Sequence, residues 1–237
     1  MNKSILHTFN LLTLLSGYAY GQTNELENIF DGETFSGWEG NFSQFRIENE
    51  SILAGTLDSN IELDEFLCTI EVFGNFELLI DAKITGNQIP GVSFRGQRIQ
   101  GSTQVGGYQA DMGYIPGEFM PILTDIEDID ISSPYPLWGS LLDEYRIDFQ
   151  RYSDPNAPYR LLAVANKSLV ESNLSPDNWN QVRIIANGKY IEIQLNDVTT
   201  VEYTEEGLVP ESGHICLQVH SGSPALVEYK NILLRRL

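Results

Sequence analysis

Val182-Arg183-Ile184-Ile185-Ala186-Asn187-Gly188-Lys189-Tyr190-Ile191-Glu192-Ile193-Gln194-Leu195 is the stretch that decides the fold. Val182, Ile184 and Ala186 alternate with side chains of the opposite face, and Ile191, Ile193 and Leu195 resume the alternation after Asn187-Gly188. A period of two is that of a strand with one buried face. Asn-Gly accepts positive φ at little cost, so the stretch predicts an antiparallel hairpin. Asn196-Asp197 predicts a second turn, leading into Val201-Glu202-Tyr203. Phe76, Leu78, Ile80, Ala82 and Ile84 alternate with Glu77, Leu79, Asp81 and Lys83 in the same way. After residue 22 no segment holds a 3.6-residue apolar period over three turns, and no internal repeat is visible. Roughly a dozen short strands and no helix are expected, which predicts an all-β domain over residues 22–237 built of two packed antiparallel sheets.

Composition narrows the partners. Of 237 residues, 33 are Asp or Glu and 14 are Lys or Arg, for a formal net charge of −19. Nucleic acid would require a basic face, and an anionic membrane would repel this chain. The start of the chain reads as a secretory leader over residues 1–21. Lys3 supplies the positive charge, Ile5 to Leu15 is mostly apolar, and Ala19-Tyr20-Gly21 sets small residues at −3 and −1 of a cut before Gln22. The apolar run is too short to span a bilayer, which takes about 20 residues. The mature chain is therefore expected outside the cell or in the periplasm, off the membrane. Cys68 and Cys216 could pair there, or could remain two buried thiols.

One segment interrupts the strand rhythm. Residues 114–136 carry Pro116, Pro121, Pro134 and Pro136 and the acidic run Asp125-Ile126-Glu127-Asp128-Ile129-Asp130, and they read as a long solvated surface loop. The run lacks the Gly and final Glu of an EF-hand calcium loop.

Candidate functional residues emerge from which side chains share a strand face. In His214-Ile215-Cys216-Leu217-Gln218-Val219-His220 the odd positions are apolar and belong to the core, which sends Cys216, Gln218 and His220 to the other face. Ser93 and Arg95 oppose Val92 and Phe94, while Gln109 and Asp111 oppose Tyr108, Ala110 and Met112. Arg, Gln, Asp and His on these faces read as a binding surface more than as an ordinary solvated sheet, although Arg95 could simply pair with Asp111. Asp143 and Glu144 are adjacent and point to opposite faces, so they cannot be the opposed carboxylates of a common glycosidase. The chain has no G-x-S-x-G, H-E-x-x-H, P-loop or G-x-G-x-x-G, and no E-x-D-x-x-E β-glucanase strand motif. The nearest echo of the last is Glu62-Leu63-Asp64, with Leu at 67.

Taken in order, several segments resemble the 3-keto-disaccharide hydrolase family. Ile29-Phe30-Asp31-Gly32-Glu33-Thr34-Phe35-Ser36-Gly37-Trp38 is similar to its opening segment, Gly91-Val92-Ser93-Phe94-Arg95 and Gly107-Tyr108-Gln109-Ala110-Asp111-Met112-Gly113 to two of its strands, and Trp138-Gly139-Ser140-Leu141-Leu142-Asp143-Glu144 to a third motif. Trp179-Asn180, Leu195-Asn196-Asp197, Gly213 to Gly222 and Val227 to Ile232 complete the set. Leu142 stands where the family pattern has Tyr, and Ile147 where a second Arg is common.

The resemblance implies a concanavalin-A-like jelly roll, exported by sugar-degrading bacteria, acting on glycosides oxidised at C3. Such a keto group acidifies the C2 proton, so cleavage can proceed by enolate formation, expulsion of the C1 substituent and hydration. On this view His220 or Asp111 is the base and Arg95 stabilises the enolate, with Glu144 counted among the catalytic candidates. Gln109, Gln218 and Ser93 hold sugar hydroxyls. Alternatively Asp111, Glu144 and His220 hold a divalent metal ion acting as Lewis acid. Tyr108, Trp138 and Trp38 could stack on sugar rings or belong to the core. A non-catalytic, lectin-like carbohydrate-binding module on the same face is the competing function, and a structural surface domain is a third.

Overall fold

A computed structural model describes residues 25–124, 129–146 and 160–237; the expected leader at 1–21 and Asp125 to Asp128 of the acidic run lie outside them. The hairpin forms where the alternation requires it. Strands β13 (Asn180–Asn187) and β14 (Tyr190–Leu195) pair from Val182↔Leu195 to Asn187↔Tyr190. The tight connection is Gly188-Lys189, one residue later than Asn187-Gly188, with Gly188 at φ 55. The second turn is as expected: Asn196 and Asp197, at φ 48 and 65, lead into β15 (Val198–Thr204).

These three strands form one edge of a sheet completed by β1 (Glu27–Asn28), β3 (Phe45–Glu48), β4 (Ser51–Thr56), β6 (Phe76–Gly86) and β17 (Ala225–Arg236). Its order is β15-β14-β13-β6-β17-β4-β3, with β1 beside β17. The second sheet contains β2 (Trp38–Glu39), β5 (Glu65–Thr69), β7 (Gly91–Arg98), β8 (Val105–Asp111), β11 (Leu141–Glu144), β12 (Arg160–Ala163) and β16 (His214–Val219). Its order is β12-β11-β8-β7-β16-β5-β2. All the strand pairs are antiparallel. One core cluster joins the sheets face to face. Leu78, Ile80, Ile184 and Ile193 come from the first sheet, and Val92, Phe94, Ala110, Ile215, Leu217 and Val219 from the second. The fold is the two-sheet sandwich that the period-two pattern predicts.

Two departures have local causes. Helix α2 (Lys167–Asn173) was not expected, yet Asn166 caps it by accepting from the Leu169 N–H. The 114–136 segment is more than a solvated loop. Its ends pair as β9 (Tyr114–Ile115) and β10 (Tyr135–Pro136), and between them Gly117–Phe119 and α1 (Met120–Leu123) make two helical turns. Met120, Ile115, Tyr135 and Leu137 pack with Leu142 and Leu161 in a satellite core on the outer side of the second sheet. Apolar residues between the prolines anchor this segment. No helix among the described residues is long and apolar enough to cross a membrane.

Candidate functional site

The outer face of the second sheet carries the polar side chains singled out by alternation, and strand order makes their strands neighbours. Gln109 lies opposite Ser93 on one side and Leu142 on the other, and Asp111 lies opposite Gly91. A Cβ at Gly91 would stand 2.4 Å from Gln109 Cδ, so the bare backbone there lets the Gln109 side chain lie across β7 toward β16. The Ser93 hydroxyl donates to Gln109 Oε1 (2.7 Å). Gln109 Nε2 donates to Asp111 Oδ1 (3.0 Å) and to Gln218 Oε1 (3.1 Å). Every polar atom of the Gln109 amide is thereby engaged, and the network fixes the rotamers of Asp111 and Gln218.

Above this network lies a cavity of about 160 Å³. Its polar lining is Asp64, Gln109, Asp111, Glu144, Gln218 and His220, and the rest of its lining is aliphatic. Asp111 and Glu144 are almost completely buried. Burial pushes Asp111 up to about 7, against the one hydrogen bond from Gln109 that favours its charged form. Burial holds Glu144 well above the carboxylate range, and the neighbouring charges of Asp111, Asp64 and Asp143 raise it further.

Asp64 behaves differently. Burial opposes its ionisation, but His220 and hydrogen bonds from Gln104 (2.9 Å) and the Ser221 N–H (2.6 Å) outweigh it, so Asp64 sits below its ordinary value. His220 Nδ1 lies 2.7 Å from Ser221 O and 3.7 Å from Asp64 Oδ1. A carbonyl only accepts, so Nδ1 carries a proton, and in the neutral ring the lone pair is then on Nε2. The cavity thus combines a histidine in the base-competent tautomer, an ionised carboxylate behind it and two carboxyl groups biased toward their protonated forms. Proton removal at one point and proton donation at another are both within its chemistry.

A model of the 3-keto-alpha-glucoside-1,2-lyase-like domain, the 3-keto-disaccharide hydrolase family, matches residues 25–235. The chain belongs to this family. A comparison with curated protein sequences gives no match. Among solved structures, a candidate glycosyl hydrolase from Parabacteroides distasonis ATCC 8503 is similar in fold, at 18% identity and TM-score 0.61 over 90% of this chain and 95% of that one. The carbohydrate-binding module CBM66 from Bacillus subtilis is similar at 13% identity and TM-score 0.55, over 84% and 95%. Membership in the 3-keto-disaccharide hydrolase family places the chain among glycosyl-hydrolase-like proteins that act on carbohydrates.

Within this 3-keto-disaccharide hydrolase domain several expected site residues lie elsewhere. Arg95 is not at the cavity. A bulge between Phe94 and Gln97 puts Arg95 at φ 50 and breaks the alternation that would have aimed it beside Ser93. Its guanidinium instead bonds Gly188 O (2.7 Å), Gly74 O (3.3 Å) and Asn75 Oδ1 (3.4 Å), pinning the β13–β14 turn to the second sheet. Tyr108 lies in the inter-sheet core, its ring stacked on Phe94 and its hydroxyl donating to Glu205 Oε2 (2.8 Å). Trp138 and Trp38 are core residues too. Ser93 is fully buried beneath Gln109 and positions it, without lining the cavity. Asp143 points away from Glu144, as adjacency on a strand requires, and pairs with Arg146. Among the described residues no group of three His, Cys, Asp or Glu side chains is arranged to hold a metal ion, so Asp111, Glu144 and His220 do not form the expected ligand set.

The alternation missed Asp64 and the aliphatic wall. Asp64 precedes β5 outside any periodic segment, and its signal was the pairing of β5 with β16. Cys216↔Cys68 and Gln218↔Phe66 continue toward His220 and Asp64. The same register joins Cys68 and Cys216 in a disulfide, with Cα atoms 4.0 Å apart, on the site's side of the sheet.

Proposed function

We propose that the protein is an exported enzyme that cleaves 3-keto-glycosides by elimination. The observation that carries the reading is His220, its Nδ1 held by the Ser221 carbonyl and backed by Asp64, in one cavity with Asp111 and Glu144. His220 Nε2 removes the C2 proton, and the C–H electrons move into the C2–C3 bond as the C3 oxygen becomes an enolate. Asp64 stabilises the imidazolium. With Arg95 elsewhere, the enolate oxygen is met by neutral donors: the Gln218 amide N–H and the protonated Oδ2 of Asp111, whose Oδ1 Gln109 holds. The C3 carbonyl then re-forms, C1=C2 forms, and the C1–O bond breaks with its electron pair on the leaving oxygen, which takes the Glu144 proton. Water adds across C1=C2 to give the free 3-keto sugar. Export is supported by the leader-like residues 1–21 and by the disulfide, which persists in an oxidising compartment.

The competing reading is a lectin-like module. Likeness to a carbohydrate-binding module supports it at the level of fold, but no aromatic ring is among the described residues lining the cavity, and a binding-only site has no use for buried protonated carboxyls. Incubation with a 3-keto-disaccharide and with its unoxidised parent, followed by mass spectrometry with and without EDTA, tests the choice. Cleavage of the keto compound alone, unaffected by EDTA, is expected. Binding without cleavage of either compound selects the lectin-like reading, and EDTA-sensitive cleavage overturns the neutral-donor mechanism.

A further inference from the structure

The proposed reaction accounts for the polar residues of the cavity and leaves its aliphatic ones without a role. The same cavity is lined by Ile89, Ile115, Leu123, Leu137 and Leu142, none of which can hydrogen-bond a hydroxyl. A second sugar placed here would lose its water and gain no polar partner from these side chains. Position ties this wall to the leaving group. Leu142 and Glu144 are two residues apart on β11 and share its outer face, about 7 Å from each other along the strand. An oxygen protonated by Glu144 therefore lies within reach of Leu142 and the residues packed on it.

The apolar surface also runs past the cavity. Leu123 ends α1, and the adjoining Ile122 and Phe119 are 66% and 45% exposed. No buried carboxyl lies there to be desolvated, so shielding Asp111 and Glu144 does not explain them. In a chain of net charge −19, an exposed aliphatic and aromatic strip beside a cavity is a contact surface. Buried Met120 and the β9–β10 pair hold it in place. Leu123 lines the cavity and ends α1 beside Ile122, so a substituent on the glycosidic oxygen can continue from the cavity onto this strip.

We propose that the leaving group is an apolar alcohol or phenol carrying a hydrocarbon ring, and not a second sugar. The proposal rests on the elimination reading for its chemistry and on the wall for its specificity. It is tested with the purified protein on two 3-keto-glucosides of the same anomeric configuration, one with a cyclohexylmethyl aglycone and one with a sugar aglycone. Both depart as alcohols protonated by Glu144, and since the sugar hydroxyl is the more acidic, intrinsic leaving ability does not favour the cyclohexylmethyl compound. The expected result is a kcat/KM at least about tenfold higher for the cyclohexylmethyl compound. Leu142→Asn, or Leu123→Asn at the less buried end of the wall should Leu142→Asn not fold, lowers that ratio by about tenfold. Equal rates, or a preference for the sugar aglycone, overturn the proposal while leaving the elimination intact. If neither compound is cleaved the elimination reading fails, and calorimetry with the unoxidised glucosides decides the wall by itself. Tighter binding of the cyclohexylmethyl glucoside upholds the apolar subsite, and equal or weaker binding overturns it.

Discussion

Asp111→Asn should make the protein more stable above neutral pH, by an amount that vanishes in acid. Asp111 moves from an ordinary 3.8 to about 7 because it is desolvated with one compensating hydrogen bond. A raised carboxyl binds its proton more tightly in the folded state, so between those two values the native protein holds more protons than the unfolded chain. Stability then falls as pH rises through that window. Roughly three pH units at 1.36 kcal/mol each give a penalty of about 4 kcal/mol, complete above about pH 7. Asn has the shape of the protonated acid, its Oδ1 can still accept from Gln109, and it does not ionise. Wild type and variant should therefore unfold together near pH 4 and separate by about 4 kcal/mol at pH 8, about 10 °C in Tm for a domain of this size. The effect of Asp111 on Glu144 acts in the same direction, since removing one charge lowers the penalty on the other. Urea unfolding of both proteins across this range is the assay. The remaining acids add a pH slope common to both, and the difference isolates Asp111. Parallel curves, with an advantage under about 1 kcal/mol at pH 8, would refute the claim that this carboxyl is buried against its ionisation.

Three further outcomes rest on the same geometry. His220→Ala should lower kcat on a 3-keto-glycoside by about 10²–10⁴-fold with the fold intact by circular dichroism, and a loss of less than a few-fold removes His220 from the chemistry. Arg95→Met should cost about 2–3 kcal/mol in urea unfolding, because the carbonyls of Gly188 and Gly74 lose a charged donor, while kcat per folded molecule stays within a few-fold; a collapse of kcat alone would return Arg95 to the mechanism. Cys68→Ala with Cys216→Ala opens a loop spanning 148 positions and should cost up to about 5 kcal/mol, read as a fall in Tm under non-reducing conditions; an unchanged Tm would show the bridge to be dispensable.

The parts of the molecule that obey a period were legible in the sequence. Ile215, Leu217 and Val219 could only face the core, so Gln218 and His220 had to face away from it, and both now line the cavity. Arg95 obeyed the same rule on paper and escaped it through one left-handed residue, because a bulge shifts every later side chain to the other face. Tyr108 and Trp138 were ambiguous for a chemical reason: an aromatic side chain serves a core and a sugar platform equally well. Asp64 was hidden because long-range pairing alone brings it to His220. The aliphatic wall was hidden by its surroundings, since Ile115 and Leu123 sit among prolines and acids that suggest solvent.

The site and the disulfide belong to one energetic arrangement. Burying Asp111 and Glu144 opposes folding near neutral pH, in a chain whose net charge of −19 already favours expansion. The cost of Asp111 alone, about 4 kcal/mol, is comparable to the whole stability of a small domain. The Cys68–Cys216 bridge acts on the same two strands that carry Asp64, Gln218 and His220, and closing so long a loop contributes about the same amount with opposite sign. That sign holds at every pH at which the bridge survives, whereas the carboxyl penalty grows only as the solution becomes less acidic. Reduction of the bridge should therefore lower stability at every pH and leave least reserve above about pH 7, where the Asp111 penalty is complete. A protein that buries acids against their ionisation loses stability as they ionise, and here a bond next to the site acts against that loss.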